Sequence, residues 1–472
     1  MSEAQASPPP LPAESPVERV SRQRSMALPA AIIFLGVTVL ALVGTREARE
    51  LEGRPWAEAI LAPDNVLEGE AADVPGVIPV RVRDVSRPGD KALTFLATSF
   101  ETWASKEEHA LKVDFNRPER VMAAALDVED LAPLLASGRL PEPGRPEVLA
   151  GDLARADPFE VDGVSFQVTG RLKPHVSGLL YSYLLPLDAG IEEYFTEATG
   201  ATQGWLHPEG LAHLDELLPN PDEADAPELL GLRTRTRPAY AWVALAGLML
   251  VAWGGAMAHI RVFANASHGD ARILGPLLTE TVERPRLFAG MHVALYGTFF
   301  ACMVLGLCFP LLNYRLTEYV GAIFTEGGLS YVGDAYRSQN ILQAALATYY
   351  NNYVVQTLGF TFLPSVVPLA LGAFKTAASF ALAGFVMAPV WAGSAAGQVF
   401  HSITMALELE AYILASFVVL VWPIRLVRGV ISGAFSQHVA RAAHIYIGGI
   451  VLTGAMLAIA ALYEATSLIL LW

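Results

Sequence analysis

The feature that most constrains this chain is the clumping of its apolar residues. Seven stretches, 26–45, 239–258, 288–310, 353–374, 376–397, 406–424 and 445–465, each come near the ~20 residues that a helix needs to cross a bilayer. Lipid offers no partner for backbone N–H and C=O groups, so apolar runs of this length are expected as helices. The expected fold class is therefore a membrane all-α bundle of about seven transmembrane helices, with six to eight as the range. Composition agrees: of 472 residues 53% are hydrophobic and only 17% charged, with a mean hydropathy of +0.39, whereas a soluble domain carries about a quarter charged residues.

Charge is concentrated between the first two stretches. About three-quarters of the Asp and Glu residues fall between Glu47 and Glu228, so the formal net charge of −15 belongs mainly to that segment. An acidic domain argues against nucleic acid as a partner. Cys302 and Cys308 both lie in the third apolar stretch, six residues apart, and read as packed thiols rather than as a disulfide or metal site.

The domain plan follows. Residues 1–25 are Pro- and Ser-rich and end in Arg19, Arg22 and Arg24, which predicts a disordered cytoplasmic tail before a transmembrane anchor at 26–45. Val43-Gly44-Thr45 is a poor cleavage site, so the anchor is expected to be retained. Residues 46–238 form an extracytoplasmic α/β domain, and 239–472 a helix bundle with an outer loop at 313–352. Short loops rich in Lys and Arg stay inside; Arg261, Arg272, Arg284, Arg286, Lys375, Arg425, Arg428 and Arg441 then mark the cytoplasmic side. Arg233, Arg235 and Arg237 run against this bias, but they close a long domain, where the rule is weak. The expected location is the inner (plasma) membrane, N-terminus in the cytoplasm.

Within the inserted segment, Val77–Val82 alternates as a strand should, and Asp162-Gly163 separates two alternating runs, Phe159–Val161 and Val164–Val168, which predicts a hairpin. Val121, Ala125, Val128, Leu131 and Leu135 share one face of a helix expected over 118–137.

The run Leu134 to Pro141, containing Gly138-Arg139-Leu140-Pro141, is followed by Pro146-Glu147-Val148-Leu149-Ala150-Gly151 and then by the hairpin ending in Val168-Thr169-Gly170-Arg171-Leu172. Over about 40 residues this resembles the extracytoplasmic domain of macrolide-exporter-type ABC permeases. The resemblance implies a permease-like subunit driven by a separate cytoplasmic ATPase. Asn351-Asn352 opening one span and Glu408-Leu409-Glu410-Ala411 opening a later one resemble the stage II sporulation protein M family. Glu408, Leu409 and Ala411 fall in register with that family's pattern, while its His would fall at Thr404 and this chain has His401. That resemblance implies a scaffold that recruits periplasmic cell-wall hydrolases.

Candidate intramembrane polar residues are His401, Glu408, Glu410, Asn351 and Asn352, because a carboxylate within a span is costly and functional by default. Glu408 and Glu410 were equally compatible with an interfacial, helix-capping place in the first two turns of their span. Seven residues put His401 and Glu408 on one helix face. Pro364, Pro368 and Pro389 break or kink two spans, and Lys375 reads as a turn residue reaching the cytoplasmic surface. Lys375 lacks the preceding glycine of a phosphate-binding loop. The sequence contains neither Gly-x-Ser-x-Gly nor His-Glu-x-x-His, and His109, His175, His207 and His213 show no ligand spacing. The expectation is thus a non-enzymatic multipass subunit of an envelope complex, without catalytic, metal or cofactor residues. Its partners are membrane lipid and a cytoplasmic ATPase docked on Arg272, Arg284 and Arg286, or a periplasmic protein; a homo-oligomer is compatible. The competing class is a stand-alone ion-coupled transporter using His401, Glu408 and Glu410.

Overall fold

The computed structural model describes residues 26–52, 54–56, 59–63, 74–85, 119–154, 157–161, 163–174, 176, 182–209, 235–266, 273–325, 327–367, 370–391 and 394–470. The expected tail 1–25, Arg272, Pro368, His109, His175, His213 and Asp162 lie outside the described residues.

Helix α1 (Ala27–Leu51) leads into a sheet domain, and α2 (Pro238–Ala266) leads out of it. The two helices pack side by side. A Cβ added at Gly36 would lie 2.7 Å from the Gly247 carbonyl oxygen, so small residues allow the backbones to touch. Next come α3 (Gly275–Glu283), α4 (Pro285–Cys308), α5 (Pro310–Thr325), α6 (Ser330–Arg337) and α7 (Ile341–Tyr349). Helix α7 continues as a π-helix over Tyr350–Phe362 and a last turn at Leu363–Ser365; α8 (Leu371–Val386), α9 (Ser394–Ser432) and α10 (Phe435–Leu470) complete the bundle.

Among the described residues five helices are long and apolar enough to cross a membrane, namely α1, α2, α4, α9 and α10, and α8 is a shorter apolar helix. Seven stretches had been expected. The difference arises where the 353–374 stretch straddles a break: helix ends at Ser365, Ala370 adopts a left-handed conformation (φ 51°), and α8 starts at Leu371. Lys375 therefore sits in the second turn of α8, its Nζ 3.4 Å from the carbonyl of Gln356, rather than in a turn. The expected outer loop 313–352 is largely helical, carried by α5, α6 and α7. Its apolar residues fall at helical spacing, and Tyr319, Val332 and Ala335 are buried.

The inserted domain is a mixed nine-stranded sheet: β1 (Ile60–Pro63), β2 (Ile78–Val85), β3 (Glu119–Ala124), β4 (Leu135–Gly138), β5 (Glu147–Ala150), β6 (Phe159–Val161), β7 (Val164–Leu172), β8 (Ser182–Pro186) and β9 (Thr202–His207). Its order is β1-β9-β2-β3-β8-β5-β7-β4, with β6 on β7. β3–β8 and β5–β7 are parallel, and every other pairing is antiparallel. The β6–β7 hairpin pairs Val161 with Val164, and Gly163 takes φ 78°, as a two-residue turn demands. The helix expected over 118–137 is instead β3 followed by a 3₁₀ helix, Val128–Leu134. Val121, Met122, Ala123 and Ala124 are all buried, so β3 is a central strand covered on both faces, and such a strand loses the alternation that would announce it. Pro133 also disfavours a continuing α-helix. Among the described residues the inserted domain is thus a mixed β-sheet with short 3₁₀ turns.

Candidate metal centre

Three spans bring ionisable side chains to one point. His259 lies on α2, His292 on α4 and Glu410 on α9, and each is buried. His292 Nε2 is 2.8 Å from Glu410 Oε2 and 3.3 Å from His259 Nδ1, and His259 Nδ1 also hydrogen-bonds Glu410 Oε2. Tyr296, one turn after His292 on the same face of α4, donates to Glu410 Oε1 at 2.9 Å. Phe263, Phe288 and Phe417 wall the histidines on the side of the Arg-bearing helix ends.

The hydrogen bonds fix the chemistry. His292 Nδ1 lies 2.8 Å from the Phe288 carbonyl, which can only accept, so Nδ1 carries the hydrogen. In a neutral ring Nε2 is then a bare lone pair, and it faces a carboxylate oxygen, another acceptor. Two acceptors at this distance repel unless a hydrogen shared between the ring and the carboxyl, or a metal ion, lies between them.

The donor set fits a metal. One ligand atom from each residue lies within 4.8 Å of the others. The 3.3 Å between the two histidine nitrogens is close to the edge, about 3.4 Å, of a tetrahedron with zinc–nitrogen bonds near 2.0–2.1 Å, while the carboxylate oxygen lies nearer, 2.8 Å from His292 Nε2, and would move outward to admit an ion. Two imidazoles and one carboxylate are a zinc-type set, and three protein ligands leave one position for water or substrate. The Phe288 carbonyl on His292 and the Tyr296 hydroxyl on Glu410 are the outer partners that orient such ligands. This cluster overturns the expectation of a non-enzymatic chain without an active-site constellation: its geometry is that of a catalytic or cofactor-binding site. His259, His292 and Tyr296 were missed because the ligands come from three distant spans and form no local motif. The available signal was histidine within apolar stretches.

Of the expected residues, Glu410 belongs to this cluster. Both Glu408 and Glu410 lie well inside α9, which starts at Ser394, about four turns earlier, so the capping alternative falls. Glu408 turns to a different neighbourhood: Asn352 Nδ2 donates to its Oε1 at 2.7 Å. Asn351 Nδ2 donates to Asn352 Oδ1 at 2.9 Å. His401 is partly buried two turns before Glu408 on α9. His207 of the sheet domain lies 2.9 Å from the Pro75 carbonyl.

At the Arg-bearing end of the bundle, Arg284 pairs with Glu280, while Arg286 is exposed. Glu280 is fully buried and also pairs with Arg425, and Glu283 pairs with Arg425 and Arg441. In the sheet domain Arg139 grips Glu147 with two parallel bonds of 2.7 and 2.6 Å, and the Glu142 N–H adds a third at 2.9 Å. The Arg139 guanidinium holds the Glu147 carboxyl below the usual carboxylate range, with the Glu142 N–H acting in the same direction and burial opposing.

Fold and site together define a multipass membrane protein with an inserted non-membrane sheet domain and a buried His–His–Glu centre. No protein-family model, curated protein or solved structure matches the chain.

Proposed function

We propose that this is a metal-dependent membrane protein in which His259, His292 and Glu410 hold a divalent cation of the zinc class, and in which the sheet domain engages the molecule on which the bundle acts. The observation that carries the reading is the convergence of three buried ligand atoms, two of them acceptors 2.8 Å apart. A bound zinc ion would supply Lewis acidity at its fourth position. The sheet domain then faces outward and the end bearing Arg261, Arg284, Arg286, Arg425, Arg428 and Arg441 faces the cytoplasm, in keeping with the basic bias of the loops.

The setting is an envelope complex. The permease-like pattern, two of whose residues, Arg139 and Glu147, form an ion pair, would bring an ATPase partner on the cytoplasmic side. Asn352–Glu408 joins two residues of the sporulation-protein-M-like pattern and favours a second reading, a scaffold for cell-wall hydrolases.

The test is metal analysis of the chain purified in detergent without chelator and then incubated with Zn²⁺. About one zinc per chain is expected, with stoichiometric binding lost in His292→Ala and Glu410→Gln. A wild-type chain that retains no stoichiometric metal after such incubation would show that the cluster is held by a proton instead.

A further inference from the structure

We infer that the last turns of α1, the start of α2 and the chain just after β7 form a binding site for a phospholipid of net negative charge. Two cavities meet there and share Glu50 as a wall. One is an open groove of ≈ 810 Å³ along α1, walled by Val37, Thr38, Ala41 and Leu42 at successive turns and ending at Arg46 and Arg49. The other, of ≈ 320 Å³, lies between the sheet domain and the helices, among Arg54, Lys173, Arg237 and Tyr240. The groove is apolar in effect. The Thr38 and Thr45 hydroxyls donate to the Phe34 and Ala41 carbonyls of their own helix at 2.8 and 2.7 Å, so they ask nothing of an occupant. Leu42 is 67% exposed on a helix long and apolar enough to cross a membrane, which puts acyl chains against this face. The apolar run of α1 stops at Thr45 and Arg46, so the basic cavity lies at headgroup level.

The charge of the walls identifies the headgroup. Six basic side chains line the two cavities against two acidic ones, Glu47 and Glu50. Glu50 alone serves three arginines, Arg237 at 2.6 Å, Arg46 at 3.4 Å and Arg54 at 4.0 Å. Asp152 takes up Arg235. Lys173 gives its ammonium to a neutral acceptor, the Pro133 carbonyl, at 2.6 Å, and Arg49 has no partner among the described residues. One carboxylate cannot neutralise three guanidiniums, and basic pockets at the ends of membrane helices meet such an excess with lipid phosphates. Tyr240, hydrogen-bonded to both Arg46 and Glu50, sets an amphipathic ring at the same level, as membrane interfaces favour. The site also gives a use to Arg235 and Arg237, which run against the basic bias of the loops. A free anion would need the basic cavity alone, whereas an apolar groove opening into it has the form of a lipid, chain along α1 and phosphate at the arginines. The site is separate from His259, His292 and Glu410 and does not depend on a metal there.

The probe is dioleoyl phosphatidylglycerol, titrated onto the full chain in detergent and read by native mass spectrometry. Dioleoyl phosphatidylcholine is the zwitterionic reference, and inorganic phosphate is the free-anion competitor. One tightly held phosphatidylglycerol per chain is expected, with phosphatidylcholine about 10-fold weaker or more and no displacement by phosphate. Arg49→Gln and Lys173→Gln strand no carboxylate, and each should weaken the anionic lipid about 5-fold, or about 25-fold together. Ala41→Phe, which fills the groove with an apolar ring, should weaken it too, while Arg428→Gln, exposed at the opposite end of the bundle, should leave it unchanged. Thermal melts separate lost binding from lost folding, and Arg49→Gln, on the exposed side of α1, serves as the test if Lys173→Gln does not fold. Equal affinity for the two lipids, release by phosphate, or wild-type affinity in the double variant or in Ala41→Phe overturns the proposal. So does an equal loss in Arg428→Gln, because it would assign the binding to general attraction by a basic surface.

Discussion

His292 Nε2 meets Glu410 Oε2 at 2.8 Å across 118 residues of sequence, and Tyr296, one turn along α4, holds the other oxygen of the same carboxylate. The Tyr296 hydroxyl donates to Glu410 Oε1, so it acts by orienting that carboxylate. Tyr296→Phe keeps the ring that packs against Phe300 and Phe380 and removes only the donor. The variant should fold as wild type, retain the zinc site, and bind zinc about 10–100-fold more weakly in competition with a chelator of known affinity. Unchanged affinity would mean that Glu410 is positioned by the histidines alone.

Glu280 and Glu283 share Arg425 and Arg441 but differ in surroundings. Glu280 has no exposed surface and neutralises Arg425, itself buried, whereas the Glu283 side chain is 46% exposed. Removing the acid from a buried pair costs about 3–5 kcal/mol where it strands the arginine. Arg425 keeps Glu283 at 3.1 Å, so the loss of Glu280 costs less than that but more than an exposed pair's contribution of about 1 kcal/mol or less. Glu280→Gln should therefore lower the melting temperature sharply and speed hydrogen exchange across α3, and Glu283→Gln should do little. Equal effects of the two substitutions would place the arginine network in water rather than in the helix packing.

The apolar stretches located the membrane helices because backbone satisfaction in lipid leaves no other structure for such runs. The Asp162-Gly163 signal located the β6–β7 hairpin for an equally local reason, since only a residue like Gly163 accepts its positive φ. Where neighbours decide, the sequence misled. Val121, Ala125, Val128, Leu131 and Leu135 have helical spacing, yet residues 121–124 pair with β2 and β8 as a central strand. The His259–His292–Glu410 cluster was unreadable as a motif, since Glu410 finds His259 only after α2, α4 and α9 have packed. Histidine at two points within apolar spans was nevertheless a warning, because ionisable residues in lipid are rarely idle. Glu464 gave the same warning near the end of the last span.

Glu147 offers a pH test in the sheet domain. Its folded-state carboxyl lies below the usual range because Arg139 favours the charged form. A depressed folded value means that the stabilisation is present above the unfolded value near 4.3 and is lost as pH falls through the folded value. Arg139 is half-exposed, so solvent screening reduces the contribution. Pulse proteolysis in urea should find the sheet domain of Glu147→Gln less stable than wild type at pH 7, with the gap closing as pH is lowered below about 4. A gap that stays constant with pH would show that Glu147 contributes through neutral contacts.

The junction between the sheet domain and the bundle runs through Trp391. Its Nε1–H donates to Asn313 Oδ1 at 2.8 Å, and Asn313 in turn donates to the Phe385 carbonyl, which clamps the segment after α8 against the start of α5. That segment meets the chain leaving the sheet domain: Thr236 N–H donates to the Val390 carbonyl at 2.8 Å, and Arg235, which bridges Trp391, pairs with Asp152 of the sheet domain. A shift of the sheet domain must therefore pull on Arg235, Thr236 and Trp391 before it reaches α2, and α2 carries His259. Trp391→Phe preserves an aromatic ring beside Tyr314 while deleting the donor to Asn313. Loss of one buried hydrogen bond costs about 1–3 kcal/mol, which loosens the clamp without unfolding five apolar helices. Hydrogen exchange should rise at residues 385–391 and at 235–238 together, while β3, β8 and the core of α9 stay protected. Exchange that rises at 385–391 alone would show that the sheet domain is held to the bundle by α1 and α2 only, and that movements of the domain reach His259 along α2 directly.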